Sequence, residues 1–220
     1  MPSELSVKSP RIEILATLAL PKGCSIPKLD FQNVPVDFQS LTASTDQLTI
    51  KANTGKIKNR SKNFHVIDSL SIELGAGDIG GKWALPRKSF DLNIKAGSID
   101  IDVIPMDIAA EDYNTNFRTE VGAGETKIEI KAPISTDRFP QKMTSRHIGG
   151  AGKLNLQYPS AWAGTVNVDG GNAGKVEIEG NSIKIVSEKE GRIRKATVGQ
   201  GESEMNLELS AGNIKLEFED

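Results

Sequence analysis

The sequence is poor in the residues that most often build metal and nucleophilic sites. Among 220 residues there are one cysteine, Cys24, and two histidines, His65 and His147. A single cysteine forms no internal disulfide, and neither histidine has a second histidine or cysteine at ligand spacing. We therefore expect no metal site and interpret both histidines as solvated or at an edge. The localisation stays open between the cytoplasm and a cell surface reached through an anchor outside this chain.

An excess of charge of one sign and a long apolar run are also lacking. Lysine and arginine number 27, aspartate and glutamate number 29, and the formal net charge is −2. A chain so nearly balanced has no basic field to attract nucleic acid or anionic lipid. The longest mostly apolar stretch runs from Ile12 to Leu20 and includes Glu13 and Thr17, so it is too short to span a bilayer. We expect no nucleic-acid partner and no membrane insertion of this chain.

Patterns that indicate catalysis are missing as well. No nucleophile elbow accompanies His65 and Asp68, and no helix is predicted after Gly75-Ala76-Gly77 to complete a phosphate loop. Asp100 and Asp102 lie two apart on one predicted strand, opposite apolar neighbours, a pattern typical of a solvated face. The sequence therefore predicts a protein that is not an enzyme and needs no cofactor.

An internal repeat is the feature that the sequence does contain. A box of one small residue, glycine, any residue and an apolar residue recurs, as in Ala96-Gly97-Ser98-Ile99. Successive box glycines lie 20 to 28 residues apart except across the last gap of 38, which is wide enough for one degenerate copy near Gly191 to Gly201. The box glycines, which we predict to be structural corners, are Gly55, Gly77, Gly97, Gly124, Gly152, Gly174 and Gly212.

Alternating apolar and polar residues flank each box and predict half-buried strands. Glycine accepts a positive φ and a close backbone neighbour, as a corner between two short strands requires. One such repeat cannot bury its apolar face alone, whereas stacked copies share a continuous core. We therefore predict an all-β, single-domain β-solenoid (β-helix) with repeats of about 20–28 residues over residues 41–220, after an irregular capping segment over residues 1–40.

A β-sandwich is the alternative fold, because it too contains many short strands separated by frequent turns. It is disfavoured by the lack of Asn-Gly and Asp-Gly hairpin turns between paired runs, since Asp169-Gly170 is the only such dipeptide.

Three aromatic residues are the candidates for ligand binding: Trp83, Tyr158 and Trp162. Planar rings stack on sugar faces and offer contact area at low entropic cost. The alternative is packing, since Trp162 lies between Pro159 and Gly164 and would seal a loop against the core.

The box and its neighbours also carry a family likeness. The segment from Ala151 to Gly164 has, in order, a box, a strand, Tyr158-Pro159 and Trp162. This order resembles fungal members of a family of adhesin-like β-solenoid domains of unknown function, whose boxes read Ser-Gly-Ser-Ile. The likeness covers residues 48 to 218, with Ala, Lys, Asp and Asn replacing the serines of the family's boxes. It implies the solenoid architecture and no reaction.

The first functional hypothesis is a non-catalytic, adhesin-like binding domain that presents a flat face to a glycan or protein partner. Outward residues such as Lys95, Ser98, Asp100 and Asp102 would form that face. The alternative is a scaffold that self-associates end to end through open solenoid ends. A third hypothesis, an enzyme of the polysaccharide-lyase type, requires clustered carboxylates beside a lysine or arginine in a groove.

Overall fold

The structure, a computed structural model, describes residues 19–39, 42–106, 114–132, 142–171, 174–189 and 192–219. Within these ranges all regular structure is β-strand, and the strands form one large, mostly parallel sheet that does not close on itself. The all-β prediction is confirmed. The strands are β1 (Cys24–Gln32), β2 (Val36–Phe38), β3 (Thr42–Asn59), β4 (Asn63–Ala84), β5 (Ser89–Ile104), β6 (Asn116–Ile130), β7 (Thr144–Tyr158), β8 (Gly164–Asp169), β9 (Val176–Gly180), β10 (Ile183–Lys189), β11 (Arg192–Val198) and β12 (Ser203–Phe218).

The long strands β3 to β7 lie side by side in chain order, and each pairs in parallel with the next. Their box glycines are direct partners across the sheet. Gly97 has a φ of +137°, and a Cβ added there would lie 1.8 Å from the carbonyl oxygen of Gly77. Only glycine allows the backbones to approach so closely in this conformation. A positive φ is shared by all seven predicted corner glycines: Gly55, Gly77, Gly97, Gly124, Gly152, Gly174 and Gly212.

Each long strand has two arms that meet at the box. We call the residues before the box glycine the first arm and those after it the second arm. Ile94 in the first arm of β5 and Ile99 in its second arm are both fully buried in one core. Residues five apart on a straight strand point to opposite faces, so the strand must turn at Ala96-Gly97. The strand does not stop there as the sequence suggested, because pairing with β4 continues through the box and omits only Lys95.

Short connections show how far the strands bend. Only residues 60–62 separate β3 from β4, although Thr42 at the start of β3 pairs with Asn63 at the start of β4. The chain covers at most about 14 Å from Asn59 to Asn63. A straight strand of the length of β3 would extend about 56 Å. Because Thr42 is the neighbour of Asn63, and Asn63 lies within that reach of about 14 Å from Asn59, the two ends of β3 lie close together.

The C-terminal end departs from chain order. β12 lies between β7 and the pair β8 and β9, with parallel pairing on both sides. β10 and β11 form an antiparallel hairpin, and β11 pairs antiparallel with β8. The prediction of a degenerate copy near Gly191 to Gly201 is therefore wrong, because β11 and the turn after it occupy the described part of that segment.

The N-terminal segment is more regular than the sequence suggested. β1 pairs with the first arm of β3 and β2 with its second arm, so residues 24–38 form one further layer of the sheet. Asn33, with a φ of +60°, and Pro35 stand where the other layers have a box. Residues 1–18 of the predicted capping segment lie outside the described residues. The described part of the chain includes no helix that is long and apolar enough to cross a membrane.

Candidate functional site

The three aromatic residues proposed for ligand binding lie in the core. Trp83, Tyr158 and Trp162 are at most 1% exposed. The indole N–H of Trp83 donates to the carbonyl oxygen of Gly80 at 3.2 Å, and Tyr158 packs edge-on against Trp162. A ring without an exposed face offers a sugar nothing to stack on. We therefore correct the ligand-binding prediction for these residues and assign all three to packing.

Trp83 also borders an apolar groove of about 460 Å³ that Ile104 and Met106 line. Its ring stays covered, since its exposure is only 1%. Residues 107–113, which follow Met106, lie outside the described residues.

A chain of four buried polar groups crosses the core of β6 and β7. The Thr119 hydroxyl lies 2.8 Å from Nδ1 of His147, and Nε2 of His147 lies 2.8 Å from the Tyr158 hydroxyl. The Tyr158 hydroxyl donates to Oγ of Ser145 at 3.1 Å. One pattern of hydrogen bonds gives every donor along this set of groups an acceptor. In it, the Thr119 hydroxyl donates to Nδ1 of neutral His147, and Nε2–H of His147 donates to the Tyr158 hydroxyl.

Burial keeps the two titratable groups of this hydrogen-bonded set, His147 and Tyr158, uncharged. Desolvation lowers the pKa of His147 to about 3, and burial raises the pKa of the Tyr158 hydroxyl well above its ordinary value. All four side chains are fully buried, so no substrate reaches them and their role is to satisfy one another. The interpretation of His147 as solvated or at an edge is therefore wrong, whereas His65 is exposed as predicted. The feature that could have predicted the burial of His147 is its position, because it lies in register with Thr119 on the inward face.

The outward side chains of the second arms form rows across the sheet, because the strands pair in register. We call this surface the second-arm face. One row contains Lys58, Gly80, Asp100, Lys127, Asn155, Lys215 and Glu177. Every member except Gly80 carries a polar or charged side chain, so the row has a single gap, between Lys58 and Asp100.

The gap opens as a recess of about 450 Å³ above Gly80 and Gly81. Gly81 is required by the backbone, since its φ is +97° and an added Cβ would lie 2.0 Å from the carbonyl oxygen of Asn59. Gly80 is not, because its φ is not positive and an added Cβ would meet only the carbonyl oxygen of Asp100, at an ordinary 3.4 Å. The side chains around the recess are Lys56, Lys58, Asp78, Lys82, Ser98, Asp100 and Asp102.

Most charges at the recess are paired. Lys56 lies 3.2 Å from Asp78, which also accepts a hydrogen bond from Ser98 at 2.8 Å. The hydrogen bond from Ser98, followed by that from Lys56, holds the pKa of Asp78 below its ordinary value.

The two charged residues that flank Gly80, Lys58 and Asp100, have the weakest ion pairing at the recess. Lys58 has no ion-pair partner among the described residues, and Asp100, whose side chain is 72% exposed, reaches Lys127 only at 4.0 Å. Ser98, Asp100 and Asp102, predicted as outward residues, meet here, whereas Lys95 lies apart, before the box. Sequence reasoning missed Lys58 and Gly80, which stand out only when neighbouring strands are aligned.

Charged and polar side chains border the recess. Within the described ranges, no group of three or more histidine, cysteine, aspartate or glutamate side chains is arranged to hold a metal ion. Ammonium groups that donate and carboxylates that accept border one open space, an arrangement suited to a ligand with both acceptors and donors.

Comparison of the chain with known protein families, with curated proteins and with solved structures gave no match. The resemblance to adhesin-like domains therefore stays a prediction.

Proposed function

We propose that the chain is a β-solenoid binding module without catalytic activity and that its second-arm face contacts the partner. The observation that carries this proposal is the gap at Gly80, in a row whose other members all carry polar or charged side chains. Glycine within a strand costs about 0.5–1 kcal/mol relative to alanine, and it often marks a place where a ligand approaches the backbone. The backbone at Gly80 does not itself require glycine.

The connection of three residues between β3 and β4 supports the solenoid part of the proposal. Parallel neighbours in an ordinary sheet need a crossover of a dozen or more residues. A shorter connection suffices when each strand is itself one coil that returns to its starting point. The shared burial of Ile94 and Ile99 in one core is consistent with such coils.

A distance measurement tests the coil. Spin labels at Thr42→Cys and Arg60→Cys, in a Cys24→Ser background, mark the start of β3 and the residue after its end. We expect a separation well below the straight-strand length of about 56 Å. A separation near that length would contradict the solenoid.

The binding proposal is tested by comparing two faces of one molecule. The double variant Lys58→Ala/Asp100→Asn removes one cation and one anion from the second-arm face. The matched control Lys51→Ala/Glu73→Gln removes an exposed pair, 3.0 Å apart, from the first arms. On a glycan array and in pull-downs, we expect only the first variant to lose binding. Equal binding by both variants, or no partner for the folded protein, would refute the proposal.

Self-association is the second candidate function, and open strand edges at both ends of the described sheet favour it. β1 and β2 pair only with β3, and β10 only with β11, among the strands that the structure describes. Among the described strands, β9 (Val176–Gly180) pairs only with β12, so its other edge is unpaired. An unpaired strand edge is a template for another strand. The neighbouring β8 is covered by β11, however, so stacking across the full width of this end is blocked. A concentration series in analytical ultracentrifugation would detect end-to-end association, and a monomer throughout would remove this candidate.

A further inference from the structure

We propose that the recess over Gly80 binds a short neutral glycan, about the length of a disaccharide. This inference rests on the proposed binding function and adds the class of ligand and the point of contact.

The charges around the recess point to a neutral ligand. Three lysines and three aspartates line it, so a polyanion would meet as many carboxylates as ammonium groups. A sugar hydroxyl both donates and accepts, so it satisfies a carboxylate on one side and an ammonium group on the other. Hydrogen bonds to such charged groups are stronger than those between neutral groups.

The dimensions of the recess fit this class. Lys58 and Asp100 lie in register on strands to either side of Gly80. Their backbones are two strand spacings apart, about 9.6 Å, which is comparable to the length of a disaccharide. The volume of about 450 Å³ lies within the range of small-ligand sites.

The floor of the recess determines how tightly a glycan binds. It is formed by the backbone of Gly80 and Gly81, and none of the described residues that line it has an aromatic ring. Because ring stacking is absent and the recess is open to solvent, we expect a dissociation constant of about a millimolar for a single site.

A protein partner is the competing occupant. A stable protein interface covers about 800 Å² on each side, far more than one missing side chain exposes. The gap of a single side chain therefore favours the smaller ligand, and any protein recovered in the pull-downs is tested beside the glycans.

The experiment uses the full chain and four probes: cellobiose, maltose, N,N′-diacetylchitobiose and a galacturonic acid disaccharide. Binding is followed by NMR titration at low and high salt. Gly80→Asn fills the gap with the side chain that Asn155 carries in the same row. Ser71→Asn adds the same side chain on the first arms as the matched control. We expect at least one neutral disaccharide to bind independently of salt, and Gly80→Asn to weaken it at least tenfold while Ser71→Asn does not.

A second variant guards against misfolding, since Asp100→Asn changes an exposed carboxylate without touching the backbone and should weaken the same ligand. Stronger, salt-dependent binding of the uronic acid would overturn the neutral class while leaving the binding module intact. Cleavage of that disaccharide would overturn the non-catalytic assignment. Binding of a purified protein partner, lost in Gly80→Asn with no glycan bound, would overturn the ligand class alone. If changes on the second-arm face affect no ligand, both proposals fail.

Discussion

The middle of the sheet and its C-terminal end consist of similar strands, but the strands are arranged in a different order. β3 to β7 follow one another in chain order, whereas β12 enters between β7 and the strands β8 and β9 that precede it in sequence. β12 is long and carries a box, so it pairs with β7 in both arms. β8 and β9 are separate short strands and match only parts of it. β8 and β9 also lie on either side of a box glycine, Gly174, so the box is common to both layers and continuous strand length is what distinguishes β12. The comparison teaches that chain order alone does not determine which strand lies beside β7.

Close backbone packing is a property that the box glycines of both regions share, as at Gly97 and Gly174, and that Gly170, outside the box, lacks. It gives the largest expected effect. In the middle, Gly97→Ala places a Cβ 1.8 Å from the carbonyl oxygen of Gly77, at a φ of +137°. We expect a loss of about 4 kcal/mol or more in the free energy of unfolding, enough to unfold many domains. At the C-terminal end, Gly170→Ala meets only a methyl group of Val176 at 3.2 Å and should cost about 1 kcal/mol or less. Urea denaturation measures both, and comparable losses would refute this contrast.

The buried polar chain makes the middle of the sheet sensitive to acid. The folded pKa of His147, about 3, lies below its ordinary value of 6.5, so the folded state binds fewer protons than the unfolded state. The stabilising contribution is fully present above pH 6.5 and is lost as the pH falls from 6.5 towards 3, by about 1.4 kcal/mol for each pH unit.

The variant His147→Gln serves as the reference for this prediction, because it keeps a donor and an acceptor without a titratable ring. Thermal melting between pH 7 and 4 should show a steeper loss for the natural chain than for the variant. Parallel curves would mean that His147 takes up protons in the folded state. Acidic side chains contribute equally to both proteins and cancel in the comparison.

Two buried threonines of β6, Thr126 and Thr119, are expected to respond in opposite ways to substitution by valine. The hydroxyl of Thr126 is buried and has no hydrogen-bond partner among the described residues, while its neighbours in register, Ile99 and Leu154, are apolar. Thr126→Val should therefore stabilise the protein by about 1 kcal/mol. Thr119→Val removes the partner of His147 and should destabilise by about 1–2 kcal/mol. Effects of the same sign in urea denaturation would contradict the assignment of these hydroxyl groups.

The sequence predicts much of the middle of the sheet because local physical rules determine it. Alternation selects the inward residues, and the box glycines set both the corners and the register. The insertion of β12 is not predictable in this way, since a local pattern does not specify which distant strand becomes its neighbour.

The candidate site cannot be predicted from the sequence for a related reason. Gly80 is one of 21 glycines, and its missing side chain matters only beside Lys58 and Asp100, which the register brings to it. For His147, residue type predicts exposure, whereas its position five residues before the box glycine Gly152 matches that of the inward Leu92 before Gly97 and predicts burial.

The smallest effect is expected at the hairpin of the C-terminal end. β10 is an edge strand in the described sheet, with Val186 51% exposed and register shifts on either side of Ser187. Val186→Lys should change the free energy of unfolding by less than about 0.5 kcal/mol, because the side chain has little burial to lose. A charge on an edge discourages pairing with another chain, so the variant should associate no more than the natural protein at high concentration. Light scattering measures association, and urea denaturation measures stability. A large loss of stability would mean that Val186 packs against the core, and the hairpin would then resemble the middle of the sheet in its dependence on burial.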